Sequence, residues 1–132
     1  NYLAFQGAKT TFSNKEKQAV NLAVSQANEC LYCQSAHTLL GTMNGFTEEQ
    51  TIEIRKGCAS FDTKLNALVA LAKEITLKRG FVTENSIINF IEAGYSKGQV
   101  VELVMLVAEK SAMNYLHAIT KVEIDFPLAK SI

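Results

Sequence analysis

The chain has 132 residues with 13 basic and 13 acidic side chains, so its formal net charge is zero. This length predicts a single domain, residues 1–132, with its own core, and the lack of a basic block excludes the usual footprint of a nucleic-acid-binding protein. Although 48% of the residues are hydrophobic, no run approaches the ~20 apolar residues of a membrane span, so we expect a soluble globular protein.

The first part of the chain predicts one capped helix, and the composition, with one proline and seven glycines, favours helix throughout. Residues 1–12 are interpreted as the tail of an earlier helix, or as an arm that packs on the body, because they carry apolar anchors without a clear period: Tyr2, Leu3, Phe5 and Phe12. Residues 13–16 form a capping box, Ser-Asn-Lys-Glu. The helix that it opens has an apolar stripe at helical spacing: Val20, Ala23, Val24 and Ala27.

A second and a third helix are predicted next. The second runs from about residue 29 to residue 44, and Gly45 is placed to end it in a left-handed conformation. Asn28 is interpreted as the stop of the first helix or the cap of the second. Residues 47–50 form another capping box, Thr-Glu-Glu-Gln, which opens a short helix that ends near Gly57.

Three more helices bring the number to about six and give an all-α fold. Asp62 caps the fourth, which residues 78–80 close with Lys-Arg-Gly. Thr83 opens the fifth, which runs to Gly94, and a third box at residues 96–99 opens the last. The fourth helix has one apolar face: Leu65, Leu68, Val69, Ala72 and Ile75.

The last helix carries an apolar stretch at residues 100–108, in which Glu102 is the only polar side chain. A helix that is apolar around most of its circumference cannot lie on the surface of a monomer. We therefore expect it to occupy the centre of one subunit and to form part of an oligomer interface. The chain should leave the helix at or before Pro127.

Two of the three cysteines and one of the two histidines fall within residues 30–37. Positions i, i+3 and i+7 share one face of a helix, so Cys30, Cys33 and His37 should converge. Neighbouring thiols support redox chemistry, in which one thiolate attacks an oxidant, becomes a sulfenic acid and condenses with the other to a disulfide. Cys30 lies near the helix start, where unpaired amides favour a thiolate, and His37 can relay a proton.

Structural and metal-binding interpretations of these residues stay open. Free cysteines are often buried small hydrophobes, which is our expectation for Cys58. As zinc ligands, Cys30, Cys33 and His37 need a fourth partner, and only Cys58 or His117 is available, so we predict no metal and no cofactor. For His117 a packing or surface role is expected. A thioredoxin fold is excluded because no strand is predicted.

The cysteine count bears on the cellular compartment. Three cysteines are an odd number, which argues against a secreted disulfide framework and favours a reducing compartment. We therefore expect a cytoplasmic protein. The chain begins with Asn1 rather than methionine, so the sequence does not exclude upstream residues that include a signal.

Residues 22–37 resemble the core motif of the alkylhydroperoxidase D-like proteins, within the carboxymuconolactone decarboxylase superfamily. The likeness is close over residues 13–45 and loose elsewhere, and its Cys-x-x-Cys-x-x-x-His spacing is specific. It implies an all-helical fold that assembles into homotrimers or homohexamers. The implied activity is antioxidant reduction of hydroperoxides by the cysteine pair, which a dithiol, a lipoyl group or a thioredoxin-like protein then reduces.

The resemblance also implies residue roles: Cys33 is peroxidatic, Cys30 is resolving, and His37 belongs to the proton relay. Position in the helix alone favours Cys30 as the nucleophile, but we assign this role to Cys33, as the resemblance implies. Gln18 stands where the peroxidases have a proton-accepting glutamate, and an amide cannot take a proton. Glu16, about 200° away around the helix, is a poor substitute.

These departures define the alternatives. Tyr32 stands where the best-known members have histidine. Gln18 supports the first alternative to a peroxidase, which is a non-catalytic thiol redox sensor or binding oligomer. The second is a carboxymuconolactone decarboxylase-like enzyme, but that branch acts on a lactone acid without the cysteine pair. It would also need a positive charge near the site, and we expect none.

Overall fold

The computed structural model describes residues 10–132. Six α-helices follow one another in this part of the chain: α1 (Asn14–Ala27), α2 (Leu31–Met43), α3 (Glu48–Arg55), α4 (Thr63–Lys78), α5 (Glu84–Glu92) and α6 (Lys97–Thr120). No strand occurs in residues 10–132, which confirms the predicted all-α fold. None of these helices is both long and apolar enough to cross a membrane. The predictions for Tyr2, Leu3 and Phe5 lie outside the described residues.

The helix starts follow the predicted caps. All three capping boxes close with reciprocal hydrogen bonds between a side chain and a backbone amide, which satisfy donors that the first helical turn leaves free. They are formed by Ser13 with Glu16, Thr47 with Gln50, and Ser96 with Gln99. Asp62 and Thr83 cap α4 and α5 as predicted, and Gly45 follows α2 at φ +100°.

The start of α2 differs from the prediction. Glu29 lies outside the helix with φ 57°, and the cap is Cys30, whose Sγ accepts from the Cys33 amide at 3.3 Å. Asn28 ends α1 and does not cap α2. Its side-chain amide donates instead to Ser111 and Asn114 of α6, so a contact with a distant helix sets this boundary.

The core is built around α1, which packs against α2, α3, α4 and α6. Its inward side chains are fully buried, and burial of a leucine such as Leu22 stabilises the fold by about 2 kcal/mol. The other helices supply the remaining core side chains, among them Ile54, Leu68, Leu71, Phe90, Leu103 and Leu106. The apolar stripe predicted for α1 therefore faces the core.

Only one face of α6 is buried in the chain. Leu103 and Leu106 are in the core, whereas Val101 is 65% exposed, Val104 45% and Met105 43%. The predicted central position of α6 is therefore wrong: one of its faces packs into the core, but the centre is occupied by α1, which contacts four other helices. The oligomer interface on the other face stays a prediction.

The chain after α6 runs back over the start of α2. The helix ends at Thr120, before Pro127 as predicted, with Lys121 in the left-handed conformation. Phe126 then meets the ring of Tyr32 edge to face at 5.3 Å. The amide of Ala129 donates to Oγ of Ser35 at 3.0 Å. This C-terminal segment therefore packs on the helix that carries the cysteine pair.

Candidate redox site

The cysteine pair lies at the turn between α1 and α2. Cys30 caps α2 and Cys33 lies in its first turn. Their Cα atoms are 5.3 Å apart and the two residues form a disulfide, at a separation usual for that bond. Cys30 is 8% exposed and Cys33 3%. The spacing therefore brings the two sulfurs to bonding distance, as the sequence predicts.

His37 is one turn further along α2 and pairs with Gln18 of α1. Its Nδ1 lies 2.8 Å from Oε1 of Gln18. Because an amide oxygen only accepts, Nδ1 carries the proton and Nε2 keeps its lone pair. Burial, and then the nearby positive charge of Lys110, lowers the pKa of His37 from 6.5 to about 3. At neutral pH the imidazole is therefore uncharged.

This low pKa makes folding stability depend on pH. Between pH 6.5 and about 3 the unfolded chain binds a proton at His37 that the folded chain does not. The free energy of unfolding is therefore unaffected by His37 above this window and decreases as the pH falls through it. At about pH 4.5 the expected loss is on the order of 2–3 kcal/mol.

Urea unfolding of the parent and of His37→Asn, at pH 7 and pH 4.5, measures this effect. The Asn variant keeps a donor for Gln18 but does not titrate, so it should lose less stability on acidification. Equal losses in the two proteins would contradict the assignment.

His117, on α6, contacts the cysteine pair from the other side. Its Nδ1 lies 3.8 Å from Sγ of Cys33 and 2.8 Å from the carbonyl oxygen of Met113. Its ring stacks on Tyr32 with centroids 4.2 Å apart. This stacking agrees with the packing role that the sequence predicts for His117, and the structure also brings the ring into contact with Cys33. The sequence signal is the helical spacing of the inward face of α6, which continues to position 117: Leu103, Leu106 and Asn114 are buried, and Lys110 is half-buried.

The group that could hold a metal also differs from the predicted one. Among residues 10–132, a ring nitrogen of His117 and the sulfurs of Cys30 and Cys33 lie within 4.8 Å of one another. His37 and Cys58 are not members of this group. The disulfide joins the two sulfurs to each other.

Two further expectations are wrong. Cys58 is exposed, not buried, because the chain turns outward after α3 through Gly57 at φ +89°. Positive charge does lie near the site, since Lys110 lowers the pKa of His37. Glu16, by contrast, is engaged in its cap and accepts from the Tyr95 hydroxyl at 2.5 Å, so it does not replace Gln18.

Arg55 of α3 stabilises the site through hydrogen bonds to α1 and α2. Its side chain is 3% exposed, and it donates from Nε to Gln26 at 2.9 Å and from Nη2 to Gln34 at 3.3 Å. Burial lowers the pKa of Arg55. This α3 side chain therefore ties the end of α1 to the residue that follows Cys33.

A buried amide network holds α6 against α1 beside His117. Asn114 is 1% exposed. Its oxygen accepts from Asn28 at 3.0 Å, and its nitrogen donates to Oγ of Ser25 at 3.2 Å. Asn28 also donates to Ser111 at 3.0 Å. These bonds set the position of the last turns of α6, and hence of His117.

Asn114→Ala is expected to lower the free energy of unfolding by about 2 kcal/mol, because it removes the partner of the buried Ser25 hydroxyl and one of the two hydrogen bonds of the Asn28 amide. Urea denaturation at neutral pH measures the change. Asn89→Ala is the matched control, since Asn89 lies exposed on α5, and it should be neutral or slightly stabilising. Equal effects of the two substitutions would contradict the role of the network.

A cavity of about 190 Å³ opens next to the pair. Cys30 and His117 line it, together with Tyr32, but Cys33 does not. The rest of its wall is partly polar, from Asn28, Glu29 and Asn114, and partly apolar: Leu31, Ala118, Val122 and Ile124. Of the two cysteines, Cys30 is therefore the one that lines the cavity.

Comparisons with known proteins agree with this fold. The model of the carboxymuconolactone decarboxylase family matches residues 1–74, which include Gln18, the cysteine pair and His37. No curated protein sequence matches significantly. A solved structure of the debrominase Bmp8, a cysteine-to-alanine variant in complex with 2,3,4-tribromopyrrole, is similar with a TM-score of 0.79 and 16% identity, covering 94% of this chain and 67% of that chain. At this identity the likeness concerns the fold alone.

Proposed function

The chain belongs to the carboxymuconolactone decarboxylase family, and from this membership and the site we propose that it is a thiol-dependent peroxidase that reduces hydroperoxides through Cys30 and Cys33. The observation that carries the proposal is the disulfide between these residues. This bond is the product that the reaction requires. The resemblance of residues 22–37 to the alkylhydroperoxidase D-like motif supports the same assignment.

The proposed reaction has three steps. The Cys33 thiolate attacks a hydroperoxide oxygen, which gives a Cys33 sulfenic acid and releases an alkoxide that takes a proton to become the alcohol. The Cys30 thiolate then attacks the Cys33 sulfur, forming the disulfide and releasing hydroxide, which is protonated to water. A dithiol finally reduces the disulfide and is itself oxidised.

His37 is the proposed proton relay, held by Gln18. Its Nε2 has a free lone pair, but a pKa of about 3 makes it a weak base. We therefore propose that turnover is slower than a glutamate in place of Gln18 would allow.

The partners in this proposal follow from the chemistry and the surface. The reductant is a dithiol, a lipoyl group or a thioredoxin-like protein, since two electrons must reach the disulfide. Assembly as a homotrimer or homohexamer would cover the exposed apolar side chains of α6, among them Val101 and Val104. A cytoplasmic location fits the odd cysteine count.

Thiol titration with mass spectrometry tests the proposal. The reduced protein has three thiols. One equivalent of alkyl hydroperoxide should leave only Cys58 free and give a peptide in which Cys30 and Cys33 are joined. A dithiol should then restore all three thiols through repeated cycles. Three free thiols after excess hydroperoxide would overturn the proposal.

A second candidate is a non-catalytic redox-sensing or binding oligomer. Gln18 favours it, because Gln18 cannot accept a proton. Such a protein would form the disulfide once but would not turn over hydroperoxide with a dithiol present. A decarboxylase-like enzyme is less well supported, because the disulfide pair has no part in that chemistry, although Lys110 supplies positive charge near His37.

A further inference from the structure

We propose that His117 stabilises Cys33 as the leaving thiolate, so that the reductant attacks Cys30 and forms its mixed disulfide there. The inference rests on the proposed reduction of the disulfide, but it concerns a residue outside the motif and outside the region that the family model matches. Two independent observations carry it: the contact between His117 and Cys33, and the unequal access to the two sulfurs.

The hydrogen bonds of His117 fix which nitrogen carries its proton. Nδ1 lies 2.8 Å from the carbonyl oxygen of Met113, and a carbonyl oxygen only accepts, so Nδ1 is the donor. The same Nδ1 lies 3.8 Å from Sγ of Cys33, so its one hydrogen is shared between the carbonyl oxygen at the shorter distance and the sulfur at the longer one, as a three-centre hydrogen bond. A donor in this place stabilises a sulfur that carries negative charge more than one that is bonded to sulfur.

Packing holds the ring of His117 in this position. Its stacking on Tyr32, with centroids 4.2 Å apart, fixes the plane of the imidazole. The buried network of Asn114, one turn earlier on α6, anchors the helix to α1. The donor is therefore in place before any charge develops on Cys33.

His37 does not serve this purpose. In the described residues, its ring nitrogens do not belong to the group of atoms around the two sulfurs. Cys30 has a different donor, the Cys33 amide at 3.3 Å. The two sulfurs thus have separate donors, and only the one at Cys33 comes from α6.

Access determines the site of attack. Cys30 lines the 190 Å³ cavity and Cys33 does not. A partner thiolate that enters the cavity therefore attacks Sγ of Cys30. A partner–Cys30 disulfide forms, the Cys30–Cys33 bond breaks, and Cys33 leaves with the electron pair as a thiolate. The second thiol of the partner then displaces Cys30, so that the partner is oxidised and both protein thiols are restored.

Alkylation of single-cysteine variants by iodoacetamide, as a function of pH, tests the role of His117. The alkylation rate of Cys33 is measured in the double variant Cys30→Ser, Cys58→Ser. The alkylation rate of Cys30 is measured in the double variant Cys33→Ser, Cys58→Ser. In the first background, His117→Ala should slow alkylation at neutral pH about tenfold and move the midpoint of the profile to higher pH. In the second, it should change the rate less than twofold, because the hydrogen bond of His117 is to Sγ of Cys33, whereas Sγ of Cys30 accepts from the Cys33 amide.

His117→Asn is the conservative variant, because its side-chain amide keeps a donor near the place of Nδ1, and it should recover part of the lost rate. It also keeps the test valid if the alanine variant folds poorly. A Cys33 profile that neither variant moves would overturn the proposal, and so would equal changes at the two cysteines. Alkylation needs no hydroperoxide, so these results do not depend on peroxidase activity.

The site of attack is tested on the oxidised parent protein with glutathione as the probe. After acid quenching, mass spectrometry of the peptides should place the glutathione adduct on Cys30. An adduct mainly on Cys33 would overturn the assignment.

Discussion

Replacing Cys33 with serine is expected to reduce hydroperoxide turnover about a thousandfold or more. A serine hydroxyl is not ionised at neutral pH, so the attacking thiolate is lost. The variant also cannot form the disulfide with Cys30, so no reducible product accumulates. Turnover is measured as consumption of alkyl hydroperoxide with a dithiol present in excess.

Cys58→Ser is the matched control for this experiment. It makes the same chemical change at an exposed cysteine outside the pair, and it should leave turnover unchanged. Equal rates for Cys33→Ser and the parent would rule out a peroxidase that uses this thiol. Loss of turnover in both variants would point to an intermolecular role for Cys58, which the proposed reaction does not include.

Gln18→Glu is expected to raise the peroxidase rate about a hundredfold. The side chain already contacts Nδ1 of His37 at 2.8 Å, so the new carboxylate would lie beside the imidazole. Its negative charge would raise the pKa of His37 from about 3 towards neutrality. The pair could then accept and return a proton, which the present amide does not allow.

Gln50→Glu is the control for added charge. Gln50 is the last residue of the α3 capping box, where glutamate serves equally well, and the change should not affect the rate. In a His37→Asn background the gain from Gln18→Glu should disappear, because the relay has lost its imidazole. If Gln18→Glu alone gives no increase, the redox-sensing alternative is favoured over a peroxidase.

Local chemistry explains why most of the fold could be predicted. The capping boxes at Ser13, Thr47 and Ser96 depend on residues three positions apart, and all three form. The apolar stripe of α1 is equally local, and it lies in the core. The proximity of Cys30 and Cys33 follows from their spacing alone.

What could not be predicted depends on contacts between distant parts of the chain. The start of α2 shifts to Leu31, with the Asn28 amide bound to α6. His117 reaches the site only because α6 packs against α1 in a position that places residue 117 beside the cysteine pair. Because 84 residues separate it from Cys33, no local sequence pattern indicates that the two residues are close. The exposure of Cys58 likewise depends on how α3 and α4 are joined.

The contacts of α2 with α6 and with the C-terminal segment have a consequence for the order of events during synthesis. The two thiols are three residues apart, so they can meet as soon as that short segment leaves the ribosome. His117 follows 84 residues later, and the bond from Ala129 to Ser35 spans 94. Contacts between residues so far apart in the sequence form late in folding. A nascent chain therefore has an oxidisable pair before His117 and the C-terminal segment pack around it, and the stabilisation of Cys33 that we propose becomes available only when the last helix has docked.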